Sequence, residues 1–414
     1  MNLLKTSALN GVAVLIKTAT MFILNKILAV YVGPSGYAAI GQFQNFIQMV
    51  TTFAGSAINT AVIKYTAEYH GDETKQRAIW KAAGSLVLIF SFIFTFIILT
   101  FQKQLSLYIF HTTDYQSIFV WFAASLILFN LNALFLAILN GKKEILKLVT
   151  ANIVGSILSL LITGILAVQY HLYGALIALS IYQSIAFFVT LFLCYKASWF
   201  KFSYLFGKIE SQIAKKFAAF ALMALVSAIC VPLSQMVIRT YLSQEFGLNY
   251  AGYWEAMIRL SAAYLMLVTT TLSVYYLPRL AELTHLDEIK KEVYLGYKFI
   301  FPLAVIGSLC VYVMRDWIIT LLFSHAFMPM RDLFLWQMIG DSLKIGGWIL
   351  AYLMLSKAMT KLYVTTEIIF SLSLVLLTYI FVQVFGFEGV SIAYLLNYAL
   401  YWVVMSFNVF KQLR

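Results

Sequence analysis

Apolar stretches of about 20 residues, each closed by a short polar break, follow one another along the chain. Twelve can be marked, at 7–32, 37–67, 79–100, 116–139, 148–169, 173–194, 217–240, 250–277, 296–314, 331–356, 362–384 and 389–410. A run of that length carries a helix across the hydrocarbon core of a bilayer, whereas a run of half that length would not. The pattern therefore predicts an all-α polytopic membrane protein of about twelve transmembrane helices. Breaks on one side are very short, as at Gly33-Pro34-Ser35-Gly36, Tyr170-His171 and Phe385-Gly386, which leaves no room there for a separate domain. The first run follows Lys5 and has no small-residue cleavage site at its end, so it is expected to be kept as a span.

Composition agrees with the pattern. Of 414 residues, 62% are hydrophobic and 11% charged, more apolar surface than a soluble domain of this size could hide. The net charge of +12 would ordinarily raise a nucleic-acid partner, but its distribution points elsewhere. Counting alternate connections, one side gathers 21 Lys and Arg residues and the other only Lys103, Arg239, Arg315 and Arg331. The positive-inside rule then places both termini in the cytoplasm, and the charge is topogenic, with no nucleic acid required. Cys194, Cys230 and Cys310 fall inside spans and imply neither disulfide nor metal site. The five histidines lie at loop edges without metal spacing, so no cofactor or metal is expected.

An internal echo divides the chain. Leu107-Tyr108-Ile109-Phe110-His111 is answered by Leu321-Leu322-Phe323-Ser324-His325, Tyr173-Gly174-Ala175 by Glu388-Gly389-Val390, and Tyr65-Thr66-Ala67-Glu68 by Arg279-Leu280-Ala281-Glu282. Six spans separate the copies, so they share one orientation, as in the parallel repeats of secondary transporters. The expected organisation is an N-lobe at 1–195, a cytoplasmic link at 196–216 and a C-lobe at 217–414, around a central cavity. The link is rich in lysine and aromatic residues, which suits either an amphipathic segment on anionic lipid or an ordinary inward loop.

Charges inside spans carry the functional signal. Lys17, Lys26, Arg259 and Lys344 sit in long apolar runs, where a cation costs roughly 2.5–3.5 kcal/mol on insertion scales and usually faces a watery pathway. Glu255 and Asp341 offset them only in part, so the surplus suits an anionic ligand. Lys17 is too deep to snorkel; Lys26, nine residues on, faces the opposite way on a straight helix and is nearer the outer end. Glu255 and Arg259 are spaced i,i+4, and Asp341 and Lys344 i,i+3, so each couple shares a helix face and can pair within itself or meet a ligand. In span 2, Gln44, Gln48 and Asn59 fall on roughly one face and offer hydrogen bonds to sugar hydroxyls, or to neighbouring helices. Glu367, Arg331 and Asp332 near span ends are candidates for gates, or simply solvated, with Arg331 able to pair with Asp316.

The stretch Met330–Lys344 (M-R-D-L-F-L-W-Q-M-I-G-D-S-L-K), with Tyr363-Val364-Thr365-Thr366-Glu367 beyond it, closely resembles Wzx-type flippases for polyprenyl-diphosphate-linked oligosaccharides such as O-antigen and lipid III units, within the MOP exporter superfamily. Similar patches are Val14-Leu15-Ile16-Lys17, Lys26-Ile27-Leu28-Ala29-Val30, Thr113-Asp114-Tyr115-Gln116 and Ser273-Val274-Tyr275. The chain departs from the lipid III pattern at Arg259, so the charge around span 8 is not carried over from it. The resemblance implies two six-helix lobes in a bacterial inner membrane and alternating access. It implies as cargo an undecaprenyl-diphosphate-linked oligosaccharide moved from cytoplasmic to periplasmic leaflet, with membrane lipids and other polysaccharide-assembly proteins as partners. Lys17, Lys344 and Arg259 would then meet the diphosphate, and a titrating Asp341 or Glu255 would supply proton coupling. Two competing readings remain: a cation-coupled exporter of small molecules, which would favour an anionic cavity, and a membrane glycan polymerase or ligase, which would need a large outer loop. The expectation is a transporter and not an enzyme.

Overall fold

A computed structural model describes residues 3–207, 209–283, 285–357 and 359–412. Lys208 and Arg414, counted above among the inward cations, lie outside them. The described residues form helices and connections, with no strand among them. The helices are α1 (Leu3–Tyr31), α2 (Gly33–Phe53), α3 (Asn59–Glu68), α4 (Glu73–Phe110), α5 (Gln116–Gly141), α6 (Ile145–Tyr195), α7 (Ser211–Phe246), α8 (Leu248–Tyr264), α9 (Met266–Thr271), α10 (Leu277–Glu282), α11 (Leu286–Val313), α12 (Arg315–Leu322), α13 (Phe334–Ser356), α14 (Thr360–Phe385) and α15 (Gly389–Gln412).

Eight helical stretches among the described residues are long and apolar enough to cross a membrane, or nine with the bent pair α2 and α3. Two of the eight are about twice the needed length: α6 has 51 residues, and α14 with α15 makes a stretch of 50. Each is interrupted near its middle, at His171 (φ 50°, ψ −130°) and at Gly386 (φ 64°, ψ −144°). These are two of the short connections expected from sequence, so each stretch holds two crossings. Behind each break a glycine packs on the helix that precedes it. A Cβ on Gly174 would meet the Leu166 carbonyl oxygen at 1.9 Å, and one on Gly389 that of Phe381 at 2.2 Å. The echo between 173–175 and 388–390 thus has a shared steric cause, a hairpin too tight for any side chain.

Span 2 differs from the expectation of one straight helix. It bends by 68° between α2 and the Ser56–Glu68 segment. The hydroxyls of Thr51 and Thr52 bond the carbonyls of Ile47 (2.8 Å) and Gln48 (2.7 Å), a habit that bends helices. Gly55 then turns at φ +146°, a conformation closed to side-chain-bearing residues. The Ala54 carbonyl left at the break accepts from Ser91 Oγ (3.1 Å) and Asn130 Nδ2 (3.4 Å), so that acceptor is not stranded. Span 8 is likewise segmented, with α8, α9, a π-helical turn at Leu272–Tyr276 and α10 in succession.

The chain divides into two compact units. One holds Met1–Val32 and Ala39–Pro232; the other holds Gly33–Ala38 and Leu233–Arg414. In the first, a core of Trp80, Leu134, Phe135, Ile138 and Phe187 also takes in Phe200 and Leu205 from the link. That link is docked on protein. Trp199 Nε1 donates to Glu144 Oε1 (2.8 Å) and Ser85 Oγ to the Gly207 carbonyl (2.9 Å), while Phe202 and Phe206 stay exposed. In the second unit the core is Tyr276, Ile345, Ile349, Leu353 and Met405. Bulky apolar side chains also line outer helix faces at i,i+4 spacing: Phe92 and Phe96 on α4, Leu161 and Ile165 on α6, and Leu372, Leu376 and Ile380 on α14. Such stripes suit lipid, not water.

Candidate functional site

The second unit buries a seam of charge across four helices. Glu255 stands on α8 with Arg259 one turn later, as the i,i+4 spacing requires, and Arg259 Nε donates to Glu255 Oε1 at 2.8 Å. A third member comes from α7: Arg239 Nη1 donates to Glu255 Oε2 at 2.6 Å. Arg239 and Glu255 are 2% and 5% exposed, so neither keeps an appreciable hydration shell. Two guanidiniums therefore share one carboxylate. Arg259 is less enclosed, and its guanidinium carbon lies 5.4 Å from the centre of the Tyr37 ring. Tyr37 belongs to the same unit and is itself wedged against Phe323 and Phe327.

Farther along the seam, Asp341 on α13 is fully buried. Tyr264 of α8 donates to its Oδ2 (2.8 Å), while Tyr394 of α15 (2.8 Å) and Gln337 (3.4 Å) donate to its Oδ1. Lys344 does not meet Asp341 directly. Its Nζ donates to the Tyr394 hydroxyl at 3.1 Å and lies over the rings of Trp348 (4.8 Å) and Tyr398 (5.2 Å). The chain of donors runs Lys344 to Tyr394 to Asp341, so one hydroxyl proton separates cation from anion. A proton placed on Asp341 would turn an acceptor into a donor and force that chain to rearrange.

The remaining sequence candidates are dispersed. Lys17 lies exposed on α1 and Lys26 half-buried on the same helix, both in the first unit with Gln44, Gln48 and Asn59. The register joining Asn59 to Gln44 and Gln48 does not survive, because the bend between α2 and α3 interrupts the helix that would have aligned them. Glu367 is half-buried in the second turn of α14. Arg331 grips Asp316 with two bonds of 2.6 and 3.2 Å, and Asp332 beside it is exposed, both on the 3-10 segment before α13. Arg239 was misplaced by the sequence reading, which put it in an outward connection; α7 continues to Phe246 and encloses it. Tyr264 and Tyr394 were missed altogether, since an aromatic in a span carries no polar signal until its hydroxyl is placed. Among the described residues, no group of three or more His, Cys, Asp or Glu side chains could hold a metal ion.

Residues 3–284 match the family of polysaccharide biosynthesis proteins. The chain is 30% identical over 407 residues to the lipid III flippase of Escherichia coli, with 97% of each sequence covered. Among solved structures it resembles an inward-facing multidrug resistance MATE family transporter of the MOP superfamily, with TM-score 0.76 at 15% identity over 96% of this chain and 94% of that one. A MATE transporter of Vibrio cholerae gives TM-score 0.71 at 18% identity over 98% and 97%. These two likenesses establish the fold.

Proposed function

The chain belongs to the polysaccharide biosynthesis protein family, and from that membership we propose that it is a flippase for a lipid-linked oligosaccharide, a multi-pass membrane protein and not an enzyme. The observation that carries the reading is the paired guanidiniums on one buried carboxylate, in a chain similar over 97% of its length to a lipid III flippase. In finer detail, the cargo is an undecaprenyl-diphosphate-linked oligosaccharide, moved from cytoplasmic to periplasmic leaflet of a bacterial inner membrane by alternating access. In the second unit Arg259 and Lys344 replace water around the diphosphate; in the first, Lys17, Lys26, Gln44, Gln48 and Asn59 are assigned to substrate binding. Asp341 and Glu255 are the proposed coupling groups; protonation of Asp341 would break the Tyr394 relay and release Lys344. Both termini are assigned to the cytoplasm, and Glu367, Arg331 and Asp332 to the gates.

Sharing two cationic side chains per acid favours this cargo over small cationic drugs. The polymerase or ligase reading falls away, because the relatives are flippases and transporters. Complementation of a flippase-deficient strain by Lys344→Ala and Arg259→Ala variants tests the assignment, with surface polysaccharide scored at matched membrane levels. Loss of polymer is expected in both; full polymer in both would refute the diphosphate site.

A further inference from the structure

A second gathering of cations lies outside the seam, in the first unit. Tyr65 of α3 and Tyr69, the residue that caps it, stack with ring centres 6.2 Å apart. Lys64 lies 5.2 Å from the Tyr65 ring centre and 5.1 Å from that of Phe220 on α7. Lys216 of α7 lies 5.3 Å from Tyr65 and 5.2 Å from Tyr69, and its Nζ donates to the Tyr69 hydroxyl. Lys75, at the start of α4, stands 5.7 Å from Tyr69. Two acids oppose them. Asp72 is committed to Lys75 at 3.1 Å, and Glu68 lies exposed at the end of α3.

A topogenic lysine needs only to be on the correct side of the membrane. These three are drawn onto two rings. Lys64 and Lys216 share Tyr65, so their ammonium groups are no more than about 10.5 Å apart, on the order of the Debye length of about 10 Å at 0.1 M salt. Like charges at that separation repel, and an anion between them would relieve it. The rings hold the ammonium groups by their faces without neutralising them. The cluster is also at the ends of spans, α3 finishing at Glu68 and the apolar run of α7 beginning at Phe217, directly after Lys216, which is the depth of lipid headgroups.

We propose that Lys64 and Lys216, held over the Tyr65–Tyr69 stack, bind the phosphate of an anionic lipid at the membrane–water interface. Two lipids present that chemistry: a resident phospholipid such as phosphatidylglycerol, and a polyprenyl diphosphate. The site does not depend on the transport reading, since the bound lipid need not be cargo.

Native mass spectrometry of the purified full-length protein tests it, with phosphatidylglycerol, phosphatidylcholine of matched chains, and undecaprenyl diphosphate added separately. The wild type is expected to hold the anionic lipids over phosphatidylcholine. Lys64→Gln with Lys216→Gln should lower that preference by about five-fold per lysine, and the paired Arg substitutions should retain it. Lys290→Gln with Lys291→Gln, which removes two exposed cations elsewhere, should leave it unchanged. Loss of phosphatidylglycerol alone would identify a resident lipid, and loss of the diphosphate alone a cargo headgroup. An unchanged preference in the Lys64 and Lys216 double variant, or an equal loss in the Lys290 and Lys291 control, overturns the proposal. A transport defect with intact lipid preference would bear only on the seam.

Discussion

The two units hold their cations in opposite ways. In the second, Arg239 and Glu255 are enclosed and ion-paired, and Lys344 reaches Asp341 through Tyr394. In the first, Lys17 is exposed on α1, while Lys64 and Lys216 rest on aromatic faces at the span ends. A buried charge stripped of a partner costs several kcal/mol, whereas an exposed one stripped of a ring contact costs little. Arg239 and Glu255 are therefore part of the second unit's fold, and Lys17, Lys64 and Lys216 of the first are available to ligands at small structural cost.

Removing one side of the buried pair should break this contrast most severely. Arg239→Met leaves Glu255 short of a partner and is expected to cost about 3–5 kcal/mol, read as a large fall in melting temperature in detergent. Adding Glu255→Gln to the same chain should not recover the loss, since Arg259 would then lose its carboxylate as well. Next comes Tyr394→Phe, which removes the hydroxyl that links Lys344 to Asp341 and should cost about 1–3 kcal/mol along with transport. Lys17→Gln should alter stability by less than about 0.5 kcal/mol while reducing surface polymer; destabilisation on the scale of Arg239→Met would collapse the distinction between the units. The smallest effect is at Asp72, the N-cap of α4. The Lys75 backbone amide holds its carboxyl below the usual carboxylate range. Its stabilising contribution is thus present above the ordinary carboxylate pKa and is lost as pH falls through the lowered one. Asp72→Asn, also a good cap, should match the wild type near neutrality and show a flatter melting profile from about pH 6 to about pH 3.

Much of this was legible beforehand. Period and run length announce the long apolar helices, and the i,i+4 rule places Arg259 on Glu255. Pairing of Arg331 with Asp316 was one of the options open beforehand. What escaped were the partners of the buried charges. Arg239 stands 16 residues before Glu255 and looks like a loop cation until α7 is seen to continue past it. Asp341 and Lys344 share a face yet meet only through Tyr394, 53 residues beyond Asp341. The break after Phe53 hid the true orientation of Asn59, because a single glycine within an apolar run is a weak signal.

The docked link has a consequence for anyone recombining such proteins. Phe200 and Leu205 are core residues of the first unit, and beyond the link that unit ends at Pro232, inside α7. A chimera joined at the loop, where sequence suggests the junction, would graft a foreign peptide into the heart of its host half. Crossing over at Pro232 would instead carry the link along with the scaffold that shaped it, so the workable unit of exchange ends partway through a helix.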